Sequence, residues 1–156
     1  MTSKFLELKG LHKKFGQITA LNNVSLDVSK GEVIFIIGPS GCGKSTLLRT
    51  VNWLTPPDKG EVWLEGNIVG SLSSKLTIGE SKLLNNFRAR MGMVFQQFNV
   101  WPHLNVLENV VRAQTVVAKR NKAEAESKAL KILNEVGLSD KIEQWPDHLS
   151  GGQKQR

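Results

Sequence analysis

The 156-residue chain has 40% hydrophobic and 22% charged residues, a composition typical of a soluble globular protein with its own core. Its single cysteine excludes an internal disulfide, and no apolar stretch approaches the length of a membrane-spanning helix. The formal charge of +7 is spread along the chain, so charge alone indicates neither a nucleic-acid-binding nor a membrane-binding protein.

The first thirty residues predict two strands. Residues 5–8 form a short apolar strand candidate, and apolar and polar residues alternate over 24–29 as in a half-buried antiparallel strand. Between them, residues 11–16 predict a polar loop that carries one aromatic side chain, Phe15.

The next stretch matches the phosphate-binding pattern G-x-x-x-x-G-K-[S/T] with Gly38, Pro39, Ser40, Gly41, Cys42, Gly43, Lys44, Ser45 and Thr46. An unbroken apolar run over 32–37 precedes it, as expected of a strand buried on both faces of a parallel sheet, and residues 46–51 suit a helix. The glycines let backbone N–H groups approach a polyphosphate, while Lys44 can reach its terminal phosphates and Ser45 can ligate Mg²⁺. The alternative is a glycine-rich turn with a coincidental lysine. Cys42 is interpreted as a small loop residue, because nothing nearby would activate its thiol.

The section from 55 to 95 predicts a turn over 55–60, strands over 61–65 and 68–69 joined at 66–67, a helix over about 78–90, and a buried strand over 91–95. The last strand would deliver Gln96 at its C-terminal end, where ligand groups of open α/β sheets lie.

Two further helices are predicted. One covers residues 107–118, and the other is capped by Asn121, with Glu124 three residues later, and stopped by Gly137. The apolar face of the second helix is predicted to consist of Ala129, Leu130, Ile132, Leu133 and Val136. Near the end of the chain, Ser150 and two glycines predict one more helix N-terminus with open backbone donors. By itself this segment is consistent with an ordinary serine-capped helix.

Together, these segments resemble the ATP-binding-cassette (ABC) ATPases over residues 5–156. The family's signature is matched by Leu149, Ser150, Gly151, Gly152 and Gln153, and its Walker A loop by residues 38–46. Residues 95–97 resemble the Q-loop, and Phe15 stands where the family has an aromatic that stacks on adenine. The sequence of residues 94–104 is similar to that of the polar amino-acid importers.

The resemblance implies an α/β fold: a P-loop NTPase core of ABC type with an N-terminal antiparallel β subdomain and part of the helical signature subdomain. Within one ABC ATP-binding domain, residues 1–97 would hold the β subdomain and P-loop core, and residues 98–156 the helical subdomain. It also implies ATP and Mg²⁺, with Phe15 on the adenine ring and Ser45 and Gln96 on the metal. The family usually has tyrosine at the position of Phe15, and a phenylalanine in the hairpin core is the alternative there.

In the family, two cassettes meet head to tail, so Ser150 and Gly152 would act on the partner's ATP, and ATP-driven closure would power import. The implied partners are a second ATP-binding subunit, as in a homodimer, transmembrane permease subunits and, indirectly, a periplasmic or extracellular binding protein, with no nucleic acid. The implied location is peripheral, on the cytoplasmic face of the plasma membrane. Trp101 and His103 follow the Q-loop, where members contact the permease; a buried Trp101 and a solvated His103 are equally consistent with the sequence.

Several family segments that follow the signature have no counterpart here. The chain has no apolar run followed by Asp-Glu, and none of His12, His103 and His148 stands at the place of the switch histidine. The family fold would also insert strands between 33–37 and 91–95, so the central sheet should be incomplete. We expect the N-terminal part of an ABC ATPase, from a truncated gene or a fragment, that binds nucleotide weakly and hydrolyses it negligibly.

Three other interpretations are weighed against the importer subunit. For a non-transport ABC ATPase that acts on nucleic acid or ribosomes, the compact interval between the two motifs disfavours the DNA-repair branch, and the sequence after Gln96 favours import. A P-loop GTPase or small-molecule kinase is disfavoured because N-K-x-D is absent and Leu-Ser-Gly-Gly-Gln is present. A non-catalytic interaction fragment stays open because the C-terminal motifs are missing.

Overall fold

The structure is a computed structural model that describes residues 4–70 and 77–156. The chain divides into two compact units, Met1–Met93 and Val94–Arg156, which we call the first and second unit. Within the described ranges, no helix combines the length and the apolar character needed to cross a membrane.

The first unit contains an antiparallel sheet with the strand order β2-β1-β3-β4 and two helices. Its elements are β1 (Lys4–Phe15), β2 (Ile18–Ser29), α1 (Lys44–Val51), β3 (Lys59–Leu64), β4 (Asn67–Ile68) and α2 (Ile78–Arg90). The core lies between the sheet and the helices and includes Leu8, Leu11, Leu21, Leu47, Val51, Trp53, Val62, Leu64, Val69 and Leu84.

The N-terminal hairpin is longer than the sequence predicted. The expected polar loop over 11–16 is wrong, because β1 continues to Phe15, which pairs with Ile18. Leu11 is fully buried, so one face of β1 reaches the core here. The polar residues that suggested a loop belong to the same strand. The strand–turn–strand predicted over 61–69 is confirmed, but its turn lies at 65–66 rather than at 66–67, and β3 begins two residues earlier than expected.

Strands β1 and β3 leave no room for a side chain at Gly60. Its φ of +94° lies in the left-handed region, and a Cβ atom there would lie 2.4 Å from the carbonyl oxygen of Gly10. The register of this strand pair shifts between Lys9 and His12, at the same place. Only glycine satisfies both the backbone conformation and the close approach.

The two apolar runs predicted as buried strands are not strands here. Residues 32–39 and 91–95 have no assigned helix or strand. Val33, Phe35 and Ile37 are 74%, 85% and 91% exposed, so one face of the first run is open to solvent. A strand of a parallel sheet needs hydrogen-bonded neighbours, and the described residues supply none for these runs. The prediction of an incomplete central sheet is confirmed. As a consequence, neither apolar run forms a strand.

Helix α2 has the bounds predicted from sequence, and its start shows why. The Thr77 hydroxyl accepts a hydrogen bond from the Glu80 N–H (3.2 Å), and the Glu80 carboxylate accepts one from the Thr77 N–H (2.8 Å). This reciprocal capping box satisfies two N–H groups that a helix start leaves without partners.

The second unit is helical: α3 (Val106–Val116), α4 (Lys122–Glu135), 3-10 turns at Ser139–Lys141 and Pro146–His148, and α5 (Gly151–Gln155). Helices α3 and α4 pack through Val111, Ala125 and Ala129. A second cluster contains Val106, Leu133, Leu138 and Leu149. The helices predicted at 107–118 and after Asn121 are therefore confirmed, with ends shifted by one or two residues.

Two details of α4 differ from the prediction. Its buried stripe is Ala125, Ala129 and Leu133 at a spacing of four, which leaves the predicted face residues Leu130 and Ile132 43% and 50% exposed. The Asn121 cap is confirmed, because its side chain accepts from the Ala123 N–H at 2.9 Å. The reciprocal bond expected from Glu124 is wrong: that carboxylate pairs with Lys128 (3.0 Å) and Arg120 (3.3 Å).

Candidate functional site

The glycine–lysine loop over residues 38–46 leads directly into α1, whose N-cap is Gly43. Gly43 has a φ of +96°, and a Cβ atom there would lie 2.4 Å from the carbonyl oxygen of Ala20 on β2. Glycine is therefore required where the loop passes the sheet. Gly41 is also left-handed (φ +81°), but the space around it is open.

The Lys44 ammonium lies over this loop. It donates hydrogen bonds to the carbonyl oxygens of Gly38 (2.8 Å) and Pro39 (2.7 Å), and its Nζ is 3.6 Å from the Cys42 sulfur. These acceptors are neutral, whereas a phosphate oxygen is anionic and forms a stronger, charge-assisted bond with an ammonium group. The ammonium therefore already lies over the loop. It can exchange its hydrogen bonds with the carbonyl oxygens for stronger ones to a phosphate.

The start of α1 differs from the other described α-helices. No side chain accepts from its first N–H groups, and its first turn has no acidic residue. Helices α2, α3, α4 and α5 each begin with a side-chain cap, at Thr77, Asn105, Asn121 and Ser150. The free N–H groups and the positive end of the helix dipole favour an anion at the α1 start. Together with Lys44, these groups form a cradle whose charge suits an anion such as a polyphosphate.

Ser45 is exposed at the second position of α1, so its hydroxyl is accessible to a divalent metal. Within residues 4–70 and 77–156, no group of three or more His, Cys, Asp or Glu side chains could hold a metal ion. One hydroxyl fits Mg²⁺, which typically binds few protein ligands and takes the others from phosphates and water. Cys42 is a free, exposed thiol within the loop.

Phe15 ends β1 at the tip of the hairpin and is 50% exposed, so the alternative of a hairpin core residue is not supported. The Lys13 ammonium lies 5.6 Å from the ring centroid and pairs with Asp58 at 2.9 Å. Asp58 also accepts from the Lys14 N–H at 2.7 Å. The hydrogen bond from Lys13, followed by that from Lys14, lowers the pKa of the Asp58 carboxyl. Asp58 thereby fixes the strand end that presents Phe15.

In the second unit, Gln96 and His103 are exposed, and Trp101 is 43% exposed. The sequence did not identify Asn109, which holds the Trp101 segment against the start of α3. Its amide nitrogen lies 3.1 Å from the Trp101 carbonyl oxygen and 2.9 Å from those of Leu104 and Asn105. Its side-chain oxygen accepts from the Trp101 N–H at 2.8 Å. The sequence of the helix predicted over 107–118 does not distinguish Asn109 from the other polar residues of that helix.

Replacing Asn109 with alanine is expected to lower the free energy of unfolding by roughly 1–3 kcal/mol, because partly buried carbonyl groups lose their donor. Urea titration followed by tryptophan fluorescence measures this effect. With Trp53, Trp63 and Trp145 replaced by phenylalanine, the emission of Trp101 should also shift to longer wavelength. Asn134→Ala is the control, since its side chain makes one exposed hydrogen bond, to Ser139 at 2.8 Å. Equal stability of the two variants would contradict the role given to Asn109.

The segment from 149 to 153 forms the start of α5. Leu149 is buried in the second-unit core, while Gly151 and Gly152 are exposed. The Ser150 hydroxyl accepts from the Gln153 N–H (3.3 Å), and the Gln153 side-chain oxygen accepts from the Ser150 N–H (2.8 Å). In the first of these bonds, the Ser150 hydroxyl acts as the acceptor. Its O–H therefore remains able to donate a hydrogen bond to an anion. The buried leucine and the reciprocal cap fix the direction in which the serine and glycines face solvent.

Comparison with known proteins gives a consistent result. The family described as "ABC transporter" matches residues 21–156. The glutamate/aspartate import ATP-binding protein GltL of Escherichia coli K12 is 45% identical over 151 residues, covering 97% of this chain and 59% of that protein. The L-cystine import ATP-binding protein TcyC of Bacillus subtilis is 42% identical over 97% of this chain and 60% of its own length. This chain thus spans about three fifths of the length of these relatives.

A solved structure, the dimeric bacterial ABC transporter cassette MJ0796, is similar with a TM-score of 0.80 and 36% identity, covering 96% of this chain and 65% of that one. A second structure of that cassette, a dimer in a post-hydrolysis state bound to ADP and Pi, has a TM-score of 0.79. A known fold therefore contains both sets of elements: the antiparallel sheet and glycine–lysine loop of the first unit, and the helices of the second.

Proposed function

The chain belongs to the ABC transporter family, and from that premise we propose that it is the ATP-binding part of a subunit that powers import of polar amino acids. The observation that carries the proposal is the cradle at the start of α1, where Lys44 and a helix without a side-chain cap face the same loop. The names of the relatives, which include glutamate/aspartate and cystine import proteins, support the substrate class.

In this proposal, the N–H groups of residues 41–46 and the ammonium of Lys44 bind the phosphates of ATP. Ser45 is the proposed contact of Mg²⁺, which neutralises phosphate charge when bound. Phe15 stacks on the adenine ring through its exposed face. It lies outside the residues matched by the family description, so its role depends on the geometry of the hairpin tip.

The proposed assembly is a head-to-tail pair of ATP-binding subunits, in which Ser150 and Gly152 of one copy bind the ATP held by Lys44 of the other. The exposed glycines and the free O–H of Ser150 support this role. The relative with bound ADP and Pi is a dimer. The further proposed partners are transmembrane permease subunits, contacted near Trp101 and His103, and indirectly a periplasmic or extracellular binding protein. The subunit would work peripherally on the cytoplasmic face of the membrane.

Binding and turnover should separate in this chain. Residues 1–156 are expected to bind Mg-ATP weakly and to release phosphate at the background rate, because the sequence has the glycine–lysine loop but no apolar run followed by Asp-Glu to supply a base. Titration with a fluorescent ATP analogue, competed by unlabelled ATP, measures the first expectation, and a phosphate-release assay measures the second. Absence of binding would contradict the proposed function, and turnover equal to that of an intact cassette would contradict the expected inactivity.

The substrate class can be tested with a chimera. The matched 151 residues of the glutamate/aspartate relative are replaced by those of this chain, and uptake of labelled glutamate is measured in cells that lack the relative. Restored uptake is expected, and the same chimera with Lys44→Ala should abolish it. A chimera that binds ATP but restores no uptake would favour a non-transport or interaction role.

A further inference from the structure

The C-terminal end of α1 has an unusual residue in a familiar turn. The Trp53 N–H bonds to the Thr50 carbonyl oxygen (3.0 Å), and the Leu54 N–H bonds to that of Arg49 (2.8 Å). This is the pattern of a Schellman motif, whose left-handed position is usually glycine. Here it is Trp53, with a φ of +54° and only 3% exposure. A side chain makes this conformation unfavourable, so the surrounding structure must hold it.

Arg88 of α2 holds this helix end. Its Nη2 donates to the Trp53 carbonyl oxygen at 2.7 Å, and its Nε donates to that of Asn52 at 3.4 Å. The carbonyls at a helix C-terminus carry partial negative charge, so the guanidinium is favoured there. The Asn52 side-chain oxygen is buried and has no hydrogen-bond partner within the described residues. Acceptors therefore outnumber donors at this end, and loss of Arg88 would leave two more carbonyls without their donor.

The opposite end of the same helix carries the phosphate cradle. Helix α1 has 8 residues from Lys44 to Val51, which at about 1.5 Å per residue makes it roughly 12 Å long. Leu47 and Val51 are buried along one side, so the helix is fixed laterally by the core. Its movement along its own axis and its tilt are limited by what holds its ends. A short, rigid helix transmits a shift at its C-terminal end to Lys44 and Ser45.

We propose that Arg88 is a positioning residue for phosphate binding: by holding the carbonyls of Asn52 and Trp53, it sets the place of the α1 N-terminus relative to the loop. Arg88 itself touches no phosphate. This inference rests on the proposed binding of ATP by residues 38–46. It adds that α2, whose Arg88 lies 35 and 36 residues after its two acceptors, contributes to that affinity.

The test compares Arg88→Gln, Arg88→Lys and Arg90→Gln in the 156-residue chain. Arg90 is a matched control, because it lies in the same last turn of α2 and, among the residues that the structure describes, pairs with the exposed Glu65. Arg88→Gln is expected to weaken binding of fluorescent Mg-ATP roughly two- to thirtyfold, the range seen for residues that couple to a distant site. Arg88→Lys should recover part of the affinity, and Arg90→Gln should leave it unchanged.

A spectroscopic signal distinguishes positioning from simple loss of stability. With Trp63, Trp101 and Trp145 replaced by phenylalanine, Trp53 is the remaining tryptophan of the chain. Saturating Mg-ATP should change its emission when Arg88 is present and should leave it unchanged in Arg88→Gln. Leu84→Ala, which removes a buried core side chain of α2, should lower stability and retain both the affinity and the signal at temperatures where it is folded.

The outcomes are separable. If the parent chain with Arg88 binds no Mg-ATP, the proposed function and this inference both fail. If the parent binds but Arg88→Gln binds equally well, or Leu84→Ala weakens binding as much as Arg88→Gln does, the inference is overturned while the proposed function stands. If Arg88→Gln does not fold, Arg88→Lys carries the comparison, and an affinity and Trp53 signal identical to those of the parent overturn the inference.

Discussion

Replacing Gly60 with alanine is expected to lower the free energy of unfolding of the chain by roughly 2–5 kcal/mol, the sum of left-handed strain and overpacking in a close-packed site. The added Cβ would lie 2.4 Å from the Gly10 carbonyl oxygen and 2.5 Å from that of Lys9. Both atoms belong to the backbone of β1, so no side-chain rotation can relieve the contact. Either β3 must move away from β1, or the two strands must lose hydrogen bonds at this point.

Urea or thermal unfolding of purified protein measures this effect, and the chain offers a matched control. Gly66 also has a left-handed conformation (φ +75°), but nothing lies within 4 Å of a Cβ atom placed there. Gly66→Ala should therefore show only the cost of the conformation, about 1–2 kcal/mol. If the two variants are equally stable, the crowding between β1 and β3 is not what requires glycine at position 60.

Replacing Lys44 with alanine is expected to weaken Mg-ATP binding roughly 10- to 100-fold, the range that corresponds to one hydrogen bond to a charged group. The ammonium is the one charged group placed over residues 38–46 by the described contacts, 2.8 Å and 2.7 Å from the Gly38 and Pro39 carbonyl oxygens. Its removal leaves the α1 N-terminus and the loop amides as the remaining phosphate donors. Folding should be affected little, because the lost bonds are exposed.

The measurement is the same fluorescent-nucleotide titration, with unfolding curves recorded in parallel. Lys30→Ala removes the same charge from an exposed position outside the loop and should leave binding unchanged. A similar loss in both variants would mean that net charge rather than the position of Lys44 governs affinity. Unchanged binding in Lys44→Ala would contradict the assignment of residues 38–46 as the phosphate site.

Local signals made much of this structure predictable. The glycine–lysine pattern fixed the loop and the start of α1, and the bounds of α2 follow from Thr77 and Glu80, which cap each other within four residues. The turn at Glu65–Gly66 and the stop at Gly137 depend on left-handed backbone conformations that short-range composition reveals. In each case the atoms that determine the structure lie within a few residues of one another.

The features that escaped prediction depend on residues far apart in the chain. Leu11 is buried because β1 pairs with both β2 and β3, which the polar sequence around it does not reveal. Arg88 finds its acceptors 35 and 36 residues earlier. The bonds of Asn109 depend on a loop whose path a helical pattern does not specify. Sequence periodicity indicates which face of a helix or strand is apolar. It does not indicate which distant residues will contact that face or the polar residues beside it.

The exposed apolar run over residues 33–37 is expected to promote aggregation of the purified protein. Val33, Phe35 and Ile37 are exposed, and the segment contains no charge and no proline. Short stretches of this kind stack readily with identical stretches from other molecules and are common starting points of fibrils. Turbidity and filament formation should therefore increase with protein concentration and storage time, and Phe35→Lys should suppress them. Titrations are best performed on dilute, freshly prepared protein.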